Sequence, residues 1–230
     1  MKIFLDTANL EEIRRGAALG VLDGITINPI LAAREKRPFR ELVLEAGRIL
    51  RGGVVNAEVV STETEGMLRE GRELASWHAS IVVTVPMLPA GIRAVRLLRE
   101  EGIRTNVALI FSPMQALLAA KAGAYFVSPF LGQLDDASQD GLELLRDIVG
   151  IYRNYRFETR VLAASLHHPA HVLEAARIGA DIAAMHYHVF EQLFRHPLTD
   201  HGLETFLKDW EKARESLGEI PGAAAPRSGR

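Results

Sequence analysis

The chain has 230 residues, 48% of them hydrophobic and 24% charged, enough apolar material for one large core and too much for a fibrous or disordered whole. A formal net charge of -2 with both signs interspersed excludes a basic nucleic-acid or membrane-surface footprint. The absence of cysteine excludes disulfides and thiolate metal sites.

No apolar run approaches bilayer-spanning length. The opening Met1-Lys2-Ile3-Phe4-Leu5-Asp6 reaches an acid too early for a secretory signal, so a cytoplasmic location is expected. Partners are therefore expected among small molecules or proteins.

Short apolar runs recur along the chain, each followed by a turn signal and then an amphipathic helical pattern, the rhythm of parallel βα units. Strands are predicted at 3–7, 24–28, 56–60, 81–86, 105–110, 125–129, 161–165 and 182–187. Their interiors are apolar on both faces, as a sheet covered by helices requires. Thr62 with Glu65, and Ser112-Pro113-Met114-Gln115, read as capping boxes. A helix over 142–155 carries Leu144, Leu145, Ile148, Val149 and Tyr152 as its sheet-facing stripe.

Eight units of this kind predict an α/β fold, a (β/α)8 TIM barrel. A doubly wound open sheet is the rival architecture. Against it, Asp6-Thr7-Ala8-Asn9 stands after the first strand where a glycine-rich phosphate fingerprint would be needed. After the eighth unit, 199–217 reads as an extra C-terminal helix whose Leu203, Phe206, Leu207 and Trp210 must cover the barrel mouth or dock on a neighbouring subunit. The division is thus 1–217 as one barrel domain with its terminal helix and 218–230 as a flexible tail.

In such a barrel chemistry sits at the carboxyl ends of the strands. In chain order these ends present Asp6, Thr26 with Asn28, Glu58, Thr84, Asn106, Ser128, Ser165 with His167, and His186 with His188. Cap and turn roles compete with function for some, Asn28 before Pro29 in particular. Asp6 and Glu58, acids ending apolar strands, favour function.

Several segments together resemble the transaldolase family, and most closely its short branch, which includes the bacterial fructose-6-phosphate aldolases. They are Phe4-Leu5-Asp6-Thr7-Ala8-Asn9, Gly24-Ile25-Thr26-Ile27-Asn28-Pro29, Ala57-Glu58-Val59, Val83-Thr84-Val85-Pro86-Met87, Thr105-Asn106-Val107, Leu134-Asp135-Asp136 and Ala163-Ala164-Ser165. The resemblance implies that Asp6 and Glu58 handle protons and a catalytic water. It further implies that Asn28 and Asn106 position substrate hydroxyls, with Ser128 and Ser165 bordering the site. It also implies a homo-oligomer, a decamer, with the terminal helix packed on a neighbour.

The family's Schiff-base lysine, whose iminium holds the electrons when a carbon–carbon bond breaks, corresponds to Thr84. Its water-placing threonine corresponds to Ala108, and its two phosphate-binding arginines to Gln133 and His167. Of the five lysines, Lys2, Lys36, Lys121, Lys208 and Lys212, only Lys36 falls at the correct end of the barrel.

The expected activity is therefore aldol-type carbon–carbon chemistry on a sugar-like or polyol-like carbonyl compound without a lysine Schiff base. A catalytically silent relative that binds a polyol or a protein is the alternative. No cofactor is required by the sequence. The histidine-rich strand ends, His167, His186 and His188, offer either acid–base groups or ligands for a divalent metal such as zinc, manganese or nickel.

Overall fold

The computed structural model describes residues 1–217, so the segment expected as a tail, 218–230, lies outside the described residues. Eight strands close into one parallel barrel in sequence order: β1 Lys2–Asp6, β2 Gly24–Ile27, β3 Val54–Glu58, β4 Ile81–Pro86, β5 Thr105–Ile110, β6 Phe126–Pro129, β7 Arg160–Leu166 and β8 Ile182–Met185. The helices between them are α1 Leu10–Ala18, α2 Pro29–Arg34, α3 Phe39–Leu50, α4 Thr64–Trp77, α5 Pro89–Glu100, α6 Pro113–Ala122, α7 Leu131–Asp136, α8 Gly141–Tyr155, α9 Pro169–Ile178 and α10 Tyr187–Gln192. This is the TIM-barrel fold, and the open-sheet rival falls because β8 pairs back onto β1.

The strands are valine- and isoleucine-rich because both faces are covered. Inward-facing Phe4, Val82, Phe126, Leu162, Ile182 and Ala184 fill the barrel as one buried cluster. Phe4 and Phe126 meet edge to face with ring centroids 6.2 Å apart. Room for Phe4 comes from its register partner Gly24, where an added Cβ would lie 2.5 Å from the Phe4 Cζ. One glycine opposite one large ring closes this layer without a void.

The Ser112 hydroxyl accepts from the Gln115 backbone, completing the capping box of α6 with Pro113 at its first position. The stripe expected on α8 is buried in full, and the Tyr152 hydroxyl donates to the Ala116 carbonyl at 2.7 Å, joining α8 to α6. The Thr62 box does not form. α4 starts at Thr64 with no side-chain cap, and Glu70, further along the helix, instead accepts from Val60 N–H at 2.7 Å and Ser61 N–H at 3.2 Å. A carboxylate reaching back from inside the helix satisfies two N–H groups of the loop before it.

β3 lies two residues earlier than expected and β8 ends two earlier, so Tyr187 and His188 begin a helix instead of ending a strand. Bulges interrupt β5 between Val107 and Ile110 and β7 between Ala163 and Leu166, with Leu109 and Ser165 both at φ 59. The left-handed conformation is uncommon for such side chains.

Residues Met1–Gln192 form one compact unit, and a second begins at Leu193. The second contains α11, Pro197–Leu217, the extra helix expected, with Leu203, Phe206, Leu207 and Trp210 at helical spacing along one face. Among the described residues no helix is long and apolar enough to cross a membrane.

Candidate active site

The barrel's carboxyl end opens into a cavity of about 190 Å³. Its wall collects Asp6, Thr26, Asn28, Glu58, Thr84, Asn106, Ser128, Gln133, Ser165 and His186. They meet because alternate residues of each strand point inward and parallel registers align the strand ends: Asp6 pairs with Thr26, Glu58 with Thr84, and Thr84 with Asn106. Apolar Leu31, Phe130, Leu162 and Ala164 complete the wall. Of these, Ala164 falls within the Ala163-Ala164-Ser165 segment of the resemblance, and none carries a polar signal. Among the described residues no lysine or arginine lines the cavity, and Ala108 is part of its wall. Lys36 follows α2 outside this wall.

A larger groove of about 610 Å³ lies at the opposite end of the barrel, between Arg104, Tyr125 and Thr159. The amino ends of strands and the carboxyl ends of helices surround it. The smaller cavity, at the end where such barrels carry their chemistry, is the candidate site.

Three buried polar side chains form a chain along its wall. The Ser128 hydroxyl donates to Asn106 Oδ1 at 2.8 Å, and Asn106 Nδ2 donates to Thr84 Oγ1 at 3.3 Å. Both the oxygen and the nitrogen of the Asn106 amide are thereby engaged, so the hydroxyl proton of Thr84 is the free end of the chain. Asn28 has a dual placement. Its Oδ1 accepts from Leu31 N–H at 2.8 Å, capping α2, which leaves the amide nitrogen available to the cavity that Asn28 lines. Beneath the floor, Asn56 Nδ2 donates to Thr26 Oγ1 at 3.4 Å while the buried Asn56 Oδ1 has no hydrogen-bond partner among the described residues.

The two carboxyl groups differ in surroundings. Burial raises the Asp6 pKa to about 6, with the charge of His186 and a hydrogen bond from Thr26 opposing the shift. Burial alone raises that of Glu58. Both groups are thereby held closer to neutral pH than an ordinary carboxylate, as proton-transfer residues require. His186 sits across the β1–β8 seam and its Nδ1–H donates to the Asp6 carbonyl at 3.2 Å.

The three histidines singled out as metal ligands are distributed. His186 lines the cavity, and His188, on α10, stacks on His186 with centroids 5.9 Å apart. The His167 ring lies outside the lining, with Nε2 3.2 Å from Ser165 Oγ and Nδ1 3.8 Å from Asp136 Oδ1. His168 caps α9 and His171 contacts Asp135 at 3.1 Å. Among the described residues no group of three His, Asp or Glu side chains is arranged to hold a metal ion.

The fold and the site together define a (β/α)8 barrel with paired carboxyl groups and hydrogen-bonding side chains at its catalytic end. Residues 3–217 match the family described as Transaldolase/Fructose-6-phosphate aldolase, and the chain belongs to that family of aldolase and transferase enzymes. It is 57% identical over 218 residues to a protein of Kosmotoga olearia described as a probable transaldolase, covering 95% of this chain and 100% of that one. It is 56% identical to a probable transaldolase of Aquifex aeolicus, over 94% of this chain and 99% of the relative. Among solved structures, the 3-hexulose-6-phosphate synthase of Salmonella typhimurium superposes with a TM-score of 0.62 at 18% identity, covering 81% of this chain and 89% of the other. That likeness is one of fold.

Proposed function

We propose that this enzyme makes and breaks carbon–carbon bonds of small sugar-like carbonyl compounds by an aldol mechanism that does not pass through a lysine Schiff base. One observation carries the reading: threonine stands at position 84 in a cavity that, among the described residues, has two carboxyl groups and no amine. A hydroxyl cannot form an iminium, so the electron sink must be an enolate held by hydrogen bonds.

In the cleavage direction ionised Asp6 takes the proton of the substrate's β-hydroxyl, and the bond between the α and β carbons breaks. Its electron pair becomes the enolate of the departing ketone, and the β carbon leaves as an aldehyde. The Thr84 hydroxyl and the Asn28 amide donate to the enolate oxygen, and Glu58 in its neutral form supplies the proton it requires. Asn106 and Ser128 orient Thr84, and Ser165 and Gln133 border the substrate. His186, beside Asp6, is the histidine placed to assist proton transfer. Among the described residues no lysine or arginine clamps the cavity, which favours a substrate without a phosphate at this position.

Treatment of the enzyme with dihydroxyacetone and borohydride, removal of both, and assay of the residual condensation of dihydroxyacetone with glyceraldehyde test the proposal. Residual activity equal to that of untreated enzyme, and activity lost in Asp6→Asn, are expected. A stable borohydride-trapped ketose adduct overturns the mechanism, and the absence of turnover across a panel of ketoses, with or without zinc, manganese or nickel, favours a silent binding relative. Thr84→Lys is expected to gain the trapped adduct. The same reading includes a cytoplasmic homo-oligomer, a decamer by resemblance, which sedimentation velocity tests directly.

A further inference from the structure

Ser165 and His167 form a hydrogen-bonded pair at the rim of the cavity with Asp136 beside the ring, and the aldol chemistry proposed above uses none of the three as acid, base or nucleophile. Ser165 Oγ lies 3.2 Å from His167 Nε2, and His167 Nδ1 faces Asp136 Oδ1 at 3.8 Å. The Asp136 carboxylate beside Nδ1 favours the tautomer that carries its proton there, which leaves Nε2 as the acceptor for the serine hydroxyl. Nucleophile, base and orienting acid therefore stand in the order that activates a serine.

The backbone supports the same reading. Ser165 occupies the β7 bulge at φ 59, a left-handed conformation that is strained for a residue with a Cβ. The bulge breaks the strand's alternation and brings Ser165 to the cavity wall. Strained turns that present a serine hydroxyl to a pocket are characteristic of nucleophilic serines on other folds. Gly132 of α7 makes room for the ring, since a Cβ there would lie 2.5 Å from His167 Nε2 and against the Ser165 carbonyl. The loop that carries His167 is fixed from behind: its backbone N–H donates to His171 Nδ1 at 3.4 Å, and the other nitrogen of His171 contacts Asp135 at 3.1 Å.

We propose that Ser165 is a nucleophile activated by His167, giving this barrel a second activity, the hydrolysis of short-chain carboxylic esters. As Oγ bonds to the ester carbonyl carbon, its proton passes to His167 Nε2. The tetrahedral intermediate then collapses, the carbon–oxygen bond to the alcohol breaks, and the alkoxide leaves with the proton from Nε2. Water, deprotonated by the same nitrogen, attacks the acyl-serine and releases the carboxylic acid and free Ser165. Gln133, on the same wall, offers an amide N–H to the intermediate's oxyanion. A cavity of about 190 Å³ limits the acyl group to a few carbons. Asp136 is a positioning residue, and its 67% side-chain exposure predicts a smaller effect on removal.

The intact protein is treated with a fluorophosphonate probe and the adduct is located by peptide mapping, alongside hydrolysis of p-nitrophenyl acetate. Imidazoles cleave activated esters unaided, so the adduct at Ser165 is the deciding readout. We expect one probe per chain on Ser165, none there in Ser165→Gly, and labelling slowed about 100-fold in His167→Gln, the effect of losing a general base. Asp136→Asn should slow labelling about threefold to tenfold, less than loss of the base itself. Glycine tolerates the left-handed φ at position 165, so that variant should keep the fold, with circular dichroism as the control. No adduct, an adduct on another residue, or an unchanged rate in His167→Gln overturns the proposal.

Discussion

Asn106 Nδ2 donates to Thr84 Oγ1 at 3.3 Å across neighbouring strands, with Thr84 2% and Asn106 2% exposed. The threonine is thus built into a buried polar chain that Ser128 begins. Thr84→Val keeps the shape and removes the acceptor, leaving the Asn106 amide nitrogen unpaired in the barrel. A loss of about 1–3 kcal/mol is expected, measured by urea unfolding. The same variant should slow turnover, since it also removes the donor proposed for the enolate oxygen.

Asp6 links stability to pH with a definite sign. Its folded pKa, raised to about 6, lies above the ordinary value of 3.8, so the folded state holds its proton more tightly than the unfolded state. Between these values stability contributed by the neutral form is lost as pH rises, and above pH 6 the full cost of the buried charge is present. Asp6→Asn should therefore be more stable than the parent at pH 8, by about 1–3 kcal/mol, and lose that advantage below pH 4. Unfolding measured at both pH values checks this. Activity that needs ionised Asp6 should rise through pH 6.

Gly24→Ala drives a methyl into the ring of Phe4, which is already packed edge to face on Phe126. Neither ring can move outward through the closed sheet. A cost of about 1–3 kcal/mol is expected from overpacking, read as a fall in thermal midpoint.

Ser112→Ala removes the side-chain half of the α6 capping box. The N–H of Gln115 then lacks its acceptor, and a loss of about 1 kcal/mol is expected by urea unfolding. No change in substrate affinity should accompany it, because Ser112 does not line the cavity.

Local signals carried much of the architecture. β4 and β5 lie where their valine-, isoleucine- and threonine-containing runs predict, β4 bounded by Ser80 and Pro86, and α8 starts within one residue of the expected helix. Boundaries slipped where the signal is nonlocal. β3 starts at Val54 because parallel pairing with Gly24 of β2 extends it backward. No Thr62 cap forms because α4 starts at Thr64, and Glu70 instead holds the N–H groups of Val60 and Ser61, a contact that spacing rules do not describe. Ser165 at φ 59 has no sequence signature, since serine is not the residue that a left-handed position favours.

The polar strand ends were legible because alternation and eight-fold βα rhythm depend only on neighbours a few residues apart. From these, the sequence alone determined a barrel with Asp6, Glu58, Thr84 and Asn106 at one end. Their grouping into one cavity, the capture of Thr84 by Asn106, and the separation of His167 from His186 were decided by closure of the sheet. Asp6 and His186 are 180 positions apart and meet only across the β1–β8 seam. Contacts made by strand register and bulges depend on the whole ring of pairings, and no local pattern of residues records them.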